Sequence, residues 1–315
     1  MPSSDAYPKI PPCSRTYVHE VKTLKVSLSD RIFGIVVTSS VILFTLFCLL
    51  PFWLMVSGSL TDEMELIDRG YSLFPKQFST LAYRLTFEST QLLQSYKLSV
   101  FITVTGTAIA LLVTSMLASA VANKRNPART FMSFFVIFLL LFNGGLIPFY
   151  ILVSKWLHLY DTVWALIVPN LVQPFLVFLM ISFFRSLPYE LEEAALVDGA
   201  NEFTIFFRII LPISKPILAT IGLFYALSYW NDWLLGMLFA GDSRLYPLQV
   251  ILRNMISNLN AANSLIPDTS SITVTAPALG IRMATTVITI GPIVFLYPLV
   301  QRCFVKGLTI GAVKG

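Results

Sequence analysis

The segment EAALVDG (residues 193–199), followed after nine residues by IILP (residues 209–212), is a polar stretch between two long apolar runs. Apolar residues make up 56% of the chain and charged residues only 12%, whereas roughly a quarter of an ordinary soluble domain is charged. The composition therefore predicts an integral membrane protein. A polar segment in this setting lies outside the lipid while its neighbours lie within it, so we expect residues 193–212 to form a docking surface.

Six apolar stretches are long enough to cross a bilayer, whose hydrocarbon core requires roughly 20 residues of helix. They are residues 32–56, 98–122, 131–153, 162–184, 217–240 and 279–300. Of the 22 Lys and Arg residues, 14 lie on the side that holds both termini and 7 on the other. Because basic residues accumulate in cytoplasmic loops, both termini and residues 193–212 are predicted to be cytoplasmic. The basic excess gives no indication of nucleic-acid binding.

The predicted fold is an all-α membrane protein of six transmembrane helices, with a cytoplasmic helix between helices 4 and 5. Residues 1–31 form a cytoplasmic N-terminal segment, and residues 32–97 form the first transmembrane helix with an external segment. Residues 98–315 form the core, which contains a loop at residues 186–215.

The loop at residues 186–215 is predicted to be a compact pair of helices. Ser186 and Pro188 suit the first turn of a helix, and Gly199 suits the left-handed conformation that ends one. A second short helix, about residues 202–210, is expected to stop at Leu211-Pro212. The alternative is a helical loop that has no docking role.

Seven residues of this loop match a known signature in register: Glu193, Ala194, Ala195, Gly199, Ile209, Leu211 and Pro212. The neighbouring Asp198 is also usual there. The pattern resembles the EAA signature of the permease subunits of binding-protein-dependent ABC importers, and from about residue 98 the chain resembles carbohydrate permeases of the maltose-permease type. Four further motifs resemble the subgroup that imports oligosaccharides from complex polysaccharides: GYSLFP (70–75), NGGLIP (143–148), YWNDW (229–233) and the C-terminal residues 305–315.

The resemblance implies a mechanism and a set of partners. In the family this loop carries the coupling helix, seated in a cleft of a separate ATPase subunit, and we call residues 186–215 the coupling segment. The implied assembly in the bacterial cell membrane contains a second homologous permease, two ATPase copies and an extracellular solute-binding protein that delivers the carbohydrate. The sequence has no G-x-x-x-x-G-K-[ST] loop, so ATP and Mg²⁺ are expected on the ATPase subunits. This chain is expected to be no enzyme and to hold no cofactor of its own.

Four residues in the fifth run are candidates for the substrate path: Trp230, Asn231, Asp232 and Trp233. Aromatic rings can stack on sugars, but tryptophan also concentrates at membrane interfaces as an anchor, and both interpretations stand. An acid at membrane depth usually faces a cavity or a partner. Asp232 is therefore expected to line the path or to cap a helix.

Asn143, which interrupts the third run, is a further path candidate because broken helices at membrane depth often line cavities. The sequence favours the alternative, a tight turn that joins the third span to an interfacial helix, because Gly144-Gly145 is a common turn signal. Lys306 and Lys314 lie in a basic, glycine-rich tail of the kind that reaches the ATPase in maltose-type permeases. A frayed terminus is the alternative for this tail.

Other classes of function have weaker support in the sequence. No metal site is expected, because His19 and His158 are isolated and the three cysteines are far apart. A secondary transporter driven by an ion gradient is the alternative function. It would normally need several intramembrane acids and bases or an inverted repeat, and only Asp232 and Arg282 qualify. The sequence also lacks the nucleophile and base cluster of a membrane enzyme.

Overall fold

The computed structural model describes residues 28–265 and 279–294, and every regular element in these ranges is helical. In chain order the helices are α1 (Leu28–Ser59), α2 (Glu63–Arg69), α3 (Leu81–Glu88), α4 (Thr90–Ala122), α5 (Arg129–Leu141), α6 (Leu146–Ile151), α7 (Trp164–Ile167), α8 (Pro174–Arg185), α9 (Glu190–Val197), α10 (Glu202–Ile205), α11 (Leu211–Ile213), α12 (Lys215–Trp230), α13 (Leu234–Phe239), α14 (Leu248–Leu265) and α15 (Leu279–Val294). Two π turns, Leu152–Trp156 and Phe206–Ile210, follow α6 and α10. The predicted all-α membrane class is confirmed.

Two helices, α1 and α4, are long and apolar enough to cross a membrane without interruption. Three bent pairs bring the total to five spans if each pair counts as one. They are α5 with α6, bent by 117°, the α7 segment with α8, bent by 48°, and the α10–α11 segment with α12, bent by 84°. The last predicted stretch starts with α15, of which the structure describes residues up to Val294, so the count of six remains a prediction.

The chain divides into two compact units, one ending at Phe52 within α1 and one beginning at Trp53. The second unit is organised around α4, which packs against α12 and α8. The buried face of α4 carries small residues at almost every fourth position: Ser95, Ser99, Gly106, Ala110, Thr114 and Ala118. Small residues allow helix backbones to approach closely in lipid. A Cβ atom added at Gly106 would lie only 2.8 Å from Cζ of Tyr229.

The third apolar run is interrupted where the sequence predicts. Helix α5 ends at Leu141, the Asn143 side-chain oxygen accepts the Gly145 N–H at 2.9 Å, and Gly145 has a φ of 86°. The chain then turns into α6 at an angle of 117°. This geometry is the tight turn into a second helix that the Gly-Gly pair favours.

Two further breaks are missing from the sequence prediction. The fourth run is interrupted at residues 171–173, just before Pro174 begins α8, because proline has no N–H to continue the preceding helix. The predicted fifth span, residues 217–240, is wrong as a continuous helix, since α12 ends at Trp230 and α13 begins at Leu234. Both breaks are stabilised by polar side chains, which supply the partners that lipid cannot give to irregular backbone.

Acidic side chains order the segment between α1 and α4, which is predicted to be external. Glu65 is buried and accepts the backbone N–H of Gln77 at 2.7 Å. Glu63 accepts the N–H groups of Leu279 and Gly280 at 2.9 and 2.8 Å. A carboxylate therefore caps the N-terminus of α15, where the helix dipole favours negative charge.

Candidate coupling segment and translocation path

The first helix of the coupling segment, α9, ends in a turn that requires glycine. Gly199 has a φ of 78°, as the sequence predicts. The Ala200 N–H donates to the Ala195 carbonyl and the Gly199 N–H to the Leu196 carbonyl, both at 3.0 Å. This pair of bonds is the Schellman arrangement, which satisfies the last carbonyls of a helix. The turn between the two helices is thus defined by hydrogen bonds and does not act as a free loop.

Two sequence predictions about the ends of these helices are wrong. Ser186 does not cap α9, because its hydroxyl donates to the Phe183 carbonyl at 2.7 Å and the helix begins at Glu190. Pro212 does not stop the second helix, which continues through α11 to Ile213. A π turn precedes the proline, and its wider backbone accommodates a residue that lacks an N–H. The bend of 84° follows α11 instead.

The candidate docking residues divide between the two faces of the coupling segment. Glu193, Ala194, Asp198, Gly199 and Pro212 are exposed, whereas Ile209 and Leu211 are half-buried. Ala195 was expected on the docking surface, and this expectation is corrected because its side chain is only 8% exposed and packs into the core. Its small size lets α9 lie close to the bundle.

Sequence reasoning missed the two most exposed of the five large apolar side chains that the coupling segment presents to solvent. Val197 is 87% exposed and Phe203 is 64% exposed. Large apolar side chains that a polar segment leaves exposed are candidates for an interaction site. The available signal was their position, since each lies within four residues of Gly199 in a segment predicted to face water.

The turn after α4 holds the coupling segment through a group of contacts that we call the clasp. Its members are Asn123, Lys124 and Arg125 on one side and Tyr189 and Glu202 on the other. Asn123 donates to the Glu202 carboxylate at 3.1 Å, and Arg125 Nε donates to the Tyr189 hydroxyl at 3.1 Å. Lys124 Nζ lies 5.0 Å from the centre of the Tyr189 ring, within the range of a cation–π interaction.

Charge at the clasp alters one neighbouring carboxyl group. Burial raises the pKa of Glu192 above its ordinary value, and the nearby carboxylate of Glu202 raises it further, while Arg125 and Lys124 act in the opposite direction. Burial and a like charge both disfavour the ionised form of an acid. The coupling segment therefore contains a carboxyl group, that of Glu192, whose ionised form is disfavoured by its surroundings.

The acid at membrane depth, Asp232, has partners on both carboxylate oxygens. One oxygen accepts the backbone N–H of Leu235 at 3.0 Å, which satisfies a donor at the start of α13. The other accepts from the Asn170 side chain at 2.7 Å. The carboxylate thus has the geometry of a helix cap, and it joins the break in the fifth run to the break in the fourth.

The other candidates from the fifth run have different surroundings. Trp230 is 6% exposed and its indole N–H donates to the Thr289 carbonyl at 3.1 Å, so it is a packed residue of the bundle. The Asn231 side chain is exposed and donates to the Leu227 carbonyl. Trp233 lies under a guanidinium group, with the Arg253 Cζ 3.6 Å from its ring centre.

A network of polar groups around residues 171–173 was missed by sequence reasoning. The Tyr225 hydroxyl accepts the Gln173 backbone N–H at 3.1 Å and bonds to the Thr114 hydroxyl at 2.6 Å. The Gln173 side chain donates to Ser228 at 2.8 Å. Polar residues inside an apolar run were the available signal, because hydroxyl and amide groups bond across helices in membranes.

The break in the third run borders a groove of about 740 Å³, lined by Asn143, Gly144, Phe149 and Leu234 among others. The groove therefore connects the interruption of the third run to the start of α13. Lys306 and Lys314 lie outside the described residues. Within the described ranges, no group of three or more His, Cys, Asp or Glu residues could hold a metal ion.

Comparison with known proteins gives matches over most of the chain. The family model for the binding-protein-dependent transport system inner membrane component matches residues 106–310. Protein LplC of Bacillus subtilis is 44% identical over 269 residues, which are 85% of this chain and 90% of LplC. The polygalacturonan/rhamnogalacturonan transport system permease protein YtcP of the same organism is 36% identical over 288 residues, 91% of this chain and 100% of YtcP.

One solved structure extends the similarity to three dimensions. It is described as a bacterial ABC transporter involved in the import of the acidic polysaccharide alginate, and it superposes with a TM-score of 0.77 at 31% identity. The match covers 88% of this chain and 98% of that chain. With the family model covering well over half of its residues, the chain belongs to the inner membrane components, or permease subunits, of binding-protein-dependent transport systems.

Proposed function

We propose that this chain is one of two permease subunits of an ATP-driven importer of oligosaccharides. It pairs with a second, homologous permease, and two copies of a separate ATPase bind ATP and Mg²⁺. An extracellular solute-binding protein delivers the carbohydrate. Both termini and the coupling segment lie in the cytoplasm of a bacterial cell.

One observation carries the coupling part of this proposal. The coupling segment presents Val197 and Phe203 to solvent on a frame made stiff by the Gly199 turn and the clasp. Covering a valine and a phenylalanine stabilises a contact by about 1.5–3 kcal/mol for each side chain that becomes fully buried. A stiff apolar knob of this kind suits a cleft in a partner subunit that must transmit movement.

The substrate class is supported by the named relatives. YtcP is named for polygalacturonan and rhamnogalacturonan, and AraQ of Halalkalibacterium halodurans, 32% identical over 69% of this chain and 72% of AraQ, is named for arabinooligosaccharides. The structural relative is described as importing alginate. All three are sugar polymers or oligomers, so we assign an oligosaccharide to this chain.

A secondary transporter driven by an ion gradient is the alternative. Such a transporter needs a membrane acid that can exchange its ion or proton with the solution. Asp232 is engaged through both oxygens, by Leu235 and Asn170, and this arrangement favours a structural role.

The experiment is co-purification of the permease with its ATPase. Val197→Asp combined with Phe203→Asp is expected to abolish recovery of the ATPase from detergent extracts, because charge would enter an apolar contact. The control is Phe87→Asp, a residue that is 55% exposed on α3 and predicted to be external, and this variant should retain the ATPase. Full recovery of the ATPase by the double variant would contradict the proposed docking surface.

ATP dependence separates the two functions. Proteoliposomes that contain the whole complex should take up oligosaccharide only when ATP is supplied on the side of the coupling segment. Uptake that requires no ATP and collapses with an ionophore would establish the secondary transporter instead.

A further inference from the structure

An arginine and a tryptophan form a preorganised pair beside the breaks in the bundle. Trp233 lies between α12 and α13, and Arg253 lies on α14, with the guanidinium carbon 3.6 Å from the ring centre. This distance places the planar guanidinium against the face of the indole. Stacking of this kind fixes the orientation of an arginine side chain while its N–H groups remain directed outward in the plane.

Arg253 has no anionic partner among the residues that the structure describes. Two other arginines of the predicted external side do have one: Arg84 pairs with Glu88 at 2.9 Å and Arg244 lies 3.6 Å from Asp242. Arg253 is also exposed. Within the described residues no carboxylate neutralises its guanidinium, whereas Arg84 donates through Nε to Glu88.

The surroundings of the pair suit a sugar. Trp233 directly precedes Leu234 in the chain, and Leu234 lines the groove of about 740 Å³ together with Phe149 and the backbone at Gly144. The groove thus offers aromatic and backbone groups for a sugar ring. A second guanidinium contacts the same helix, because Arg282 donates to the Met255 carbonyl at 3.2 Å. Two arginines at one helix create a positive potential that attracts anionic ligands.

We infer that Arg253, held by Trp233, binds the carboxylate of a uronic-acid unit in the transported oligosaccharide. An arginine fork matches a carboxylate with two parallel hydrogen bonds, whereas a neutral sugar has no group that needs a cation. This inference rests on the proposed function and narrows its substrate class to acidic oligosaccharides. Two relatives are named for anionic polysaccharides. YtcP is named for polygalacturonan, and the solved structure is described as importing alginate, which is called acidic there.

The test compares two probes in proteoliposomes that contain the complete complex with its binding protein. The acidic probe is trigalacturonate and the neutral probe is arabinotriose, each supplied with ATP. Charged hydrogen bonds contribute about 1.5–3 kcal/mol, which corresponds to roughly ten- to a hundredfold. Arg253→Gln should lower the ratio of acidic to neutral uptake by about that factor, and Arg253→Lys should lower it less. Trp233→Leu should lower the same ratio, because the guanidinium would lose its support.

Controls separate binding from folding. Arg84→Gln and Arg244→Gln remove a positive charge from the same predicted side and should leave the uptake ratio unchanged. The thermal midpoint of each purified variant reports whether it is folded. An equal loss of both probes in Arg253→Gln, or no loss of either, would overturn the inference.

The wild-type protein distinguishes this inference from the proposed function. ATP-driven uptake of arabinotriose without uptake of trigalacturonate would leave the oligosaccharide importer intact and refute the acidic subsite. Absence of ATP-driven uptake for both probes would refute the importer and the subsite together. Preferential uptake of trigalacturonate, reduced selectively in Arg253→Gln, would support both.

Discussion

A methyl group placed on Gly199 would strain the coupling segment where its shape is set. The residue has a φ of 78°, and a Cβ atom built there meets no atom within 4 Å. The whole cost of Gly199→Ala therefore comes from the backbone, about 1–2 kcal/mol for an L-residue in the left-handed region. A change of this size shifts an equilibrium by a factor of roughly 5–30. The strained turn would release the bonds from Ala200 to Ala195 and from Gly199 to Leu196.

A series of substitutions at this position grades the strain. Asparagine tolerates the left-handed region better than other residues, and a β-branched valine tolerates it least. We expect ATP-driven uptake to decrease in the order Gly199→Asn, Gly199→Ala, Gly199→Val, with Val abolishing transport-coupled ATP hydrolysis while insertion into the membrane stays normal. The assay is uptake and ATP hydrolysis by the same proteoliposomes, with the amount of inserted protein measured by immunoblot.

Gly70 provides a control that is at least as strained. Its φ is 72° and its ψ is −162°, a region that essentially only glycine adopts, and an added Cβ also meets no atom within 4 Å, so Gly70→Ala carries at least the same backbone cost outside the coupling segment. Uptake per molecule of ATP should remain normal in this variant. Normal coupling in Gly199→Val, or an equal loss of coupling in Gly70→Ala, would refute the reasoning.

Three further predictions concern packing, a cap and a charge. Gly106→Ala should lower the thermal midpoint in detergent, because overpacking against the Tyr229 ring costs about 1–3 kcal/mol. The control is Gly222→Ala, whose Cβ would meet only one atom at 3.7 Å and which should keep the wild-type midpoint. Equal midpoints for the two variants would contradict this prediction. Asp232→Asn keeps one acceptor for the Leu235 N–H and should assemble normally, whereas Asp232→Ala should destabilise the protein by about 1–3 kcal/mol. Equal unfolding midpoints for the two variants would exclude the capping role. The raised pKa of Glu192 means that this carboxyl group binds a proton more tightly in the folded protein than in the unfolded chain. The stability that the protonated group contributes is therefore present at low pH and lost as the pH rises through the folded pKa. Glu192→Gln should remove this pH dependence from the unfolding midpoint, and an unchanged pH profile in the variant would contradict the prediction.

The sequence was sufficient for the features that depend on composition and local chemistry. Long apolar runs predict the helices that the structure contains, because burial in lipid requires continuous apolar surface. The left-handed Gly199 and the turn at residues 143–145 were predictable because both need a backbone conformation that glycine adopts readily and few other residue types adopt. The family was recognisable from the same segment.

The sequence was insufficient where tertiary contacts decide the structure. A hydropathy average over residues 217–240 hides the break at Asn231–Trp233, which exists because Asp232 reaches both Leu235 and Asn170. Ala195 was placed on the docking surface because a signature lists residues without their directions. The clasp joins residues 64 and 79 positions apart, and no local pattern signals such a pair.

The π turn Phe206–Ile210 contains one residue more than a regular helix would use over the same length. A chain shortened by one residue there would form an ordinary helix. Since each residue of an α-helix turns by about 100°, Phe203 would then point in a different direction relative to α12. A single-codon deletion would thus re-aim the proposed docking surface while leaving Val197 and Phe203 themselves unchanged.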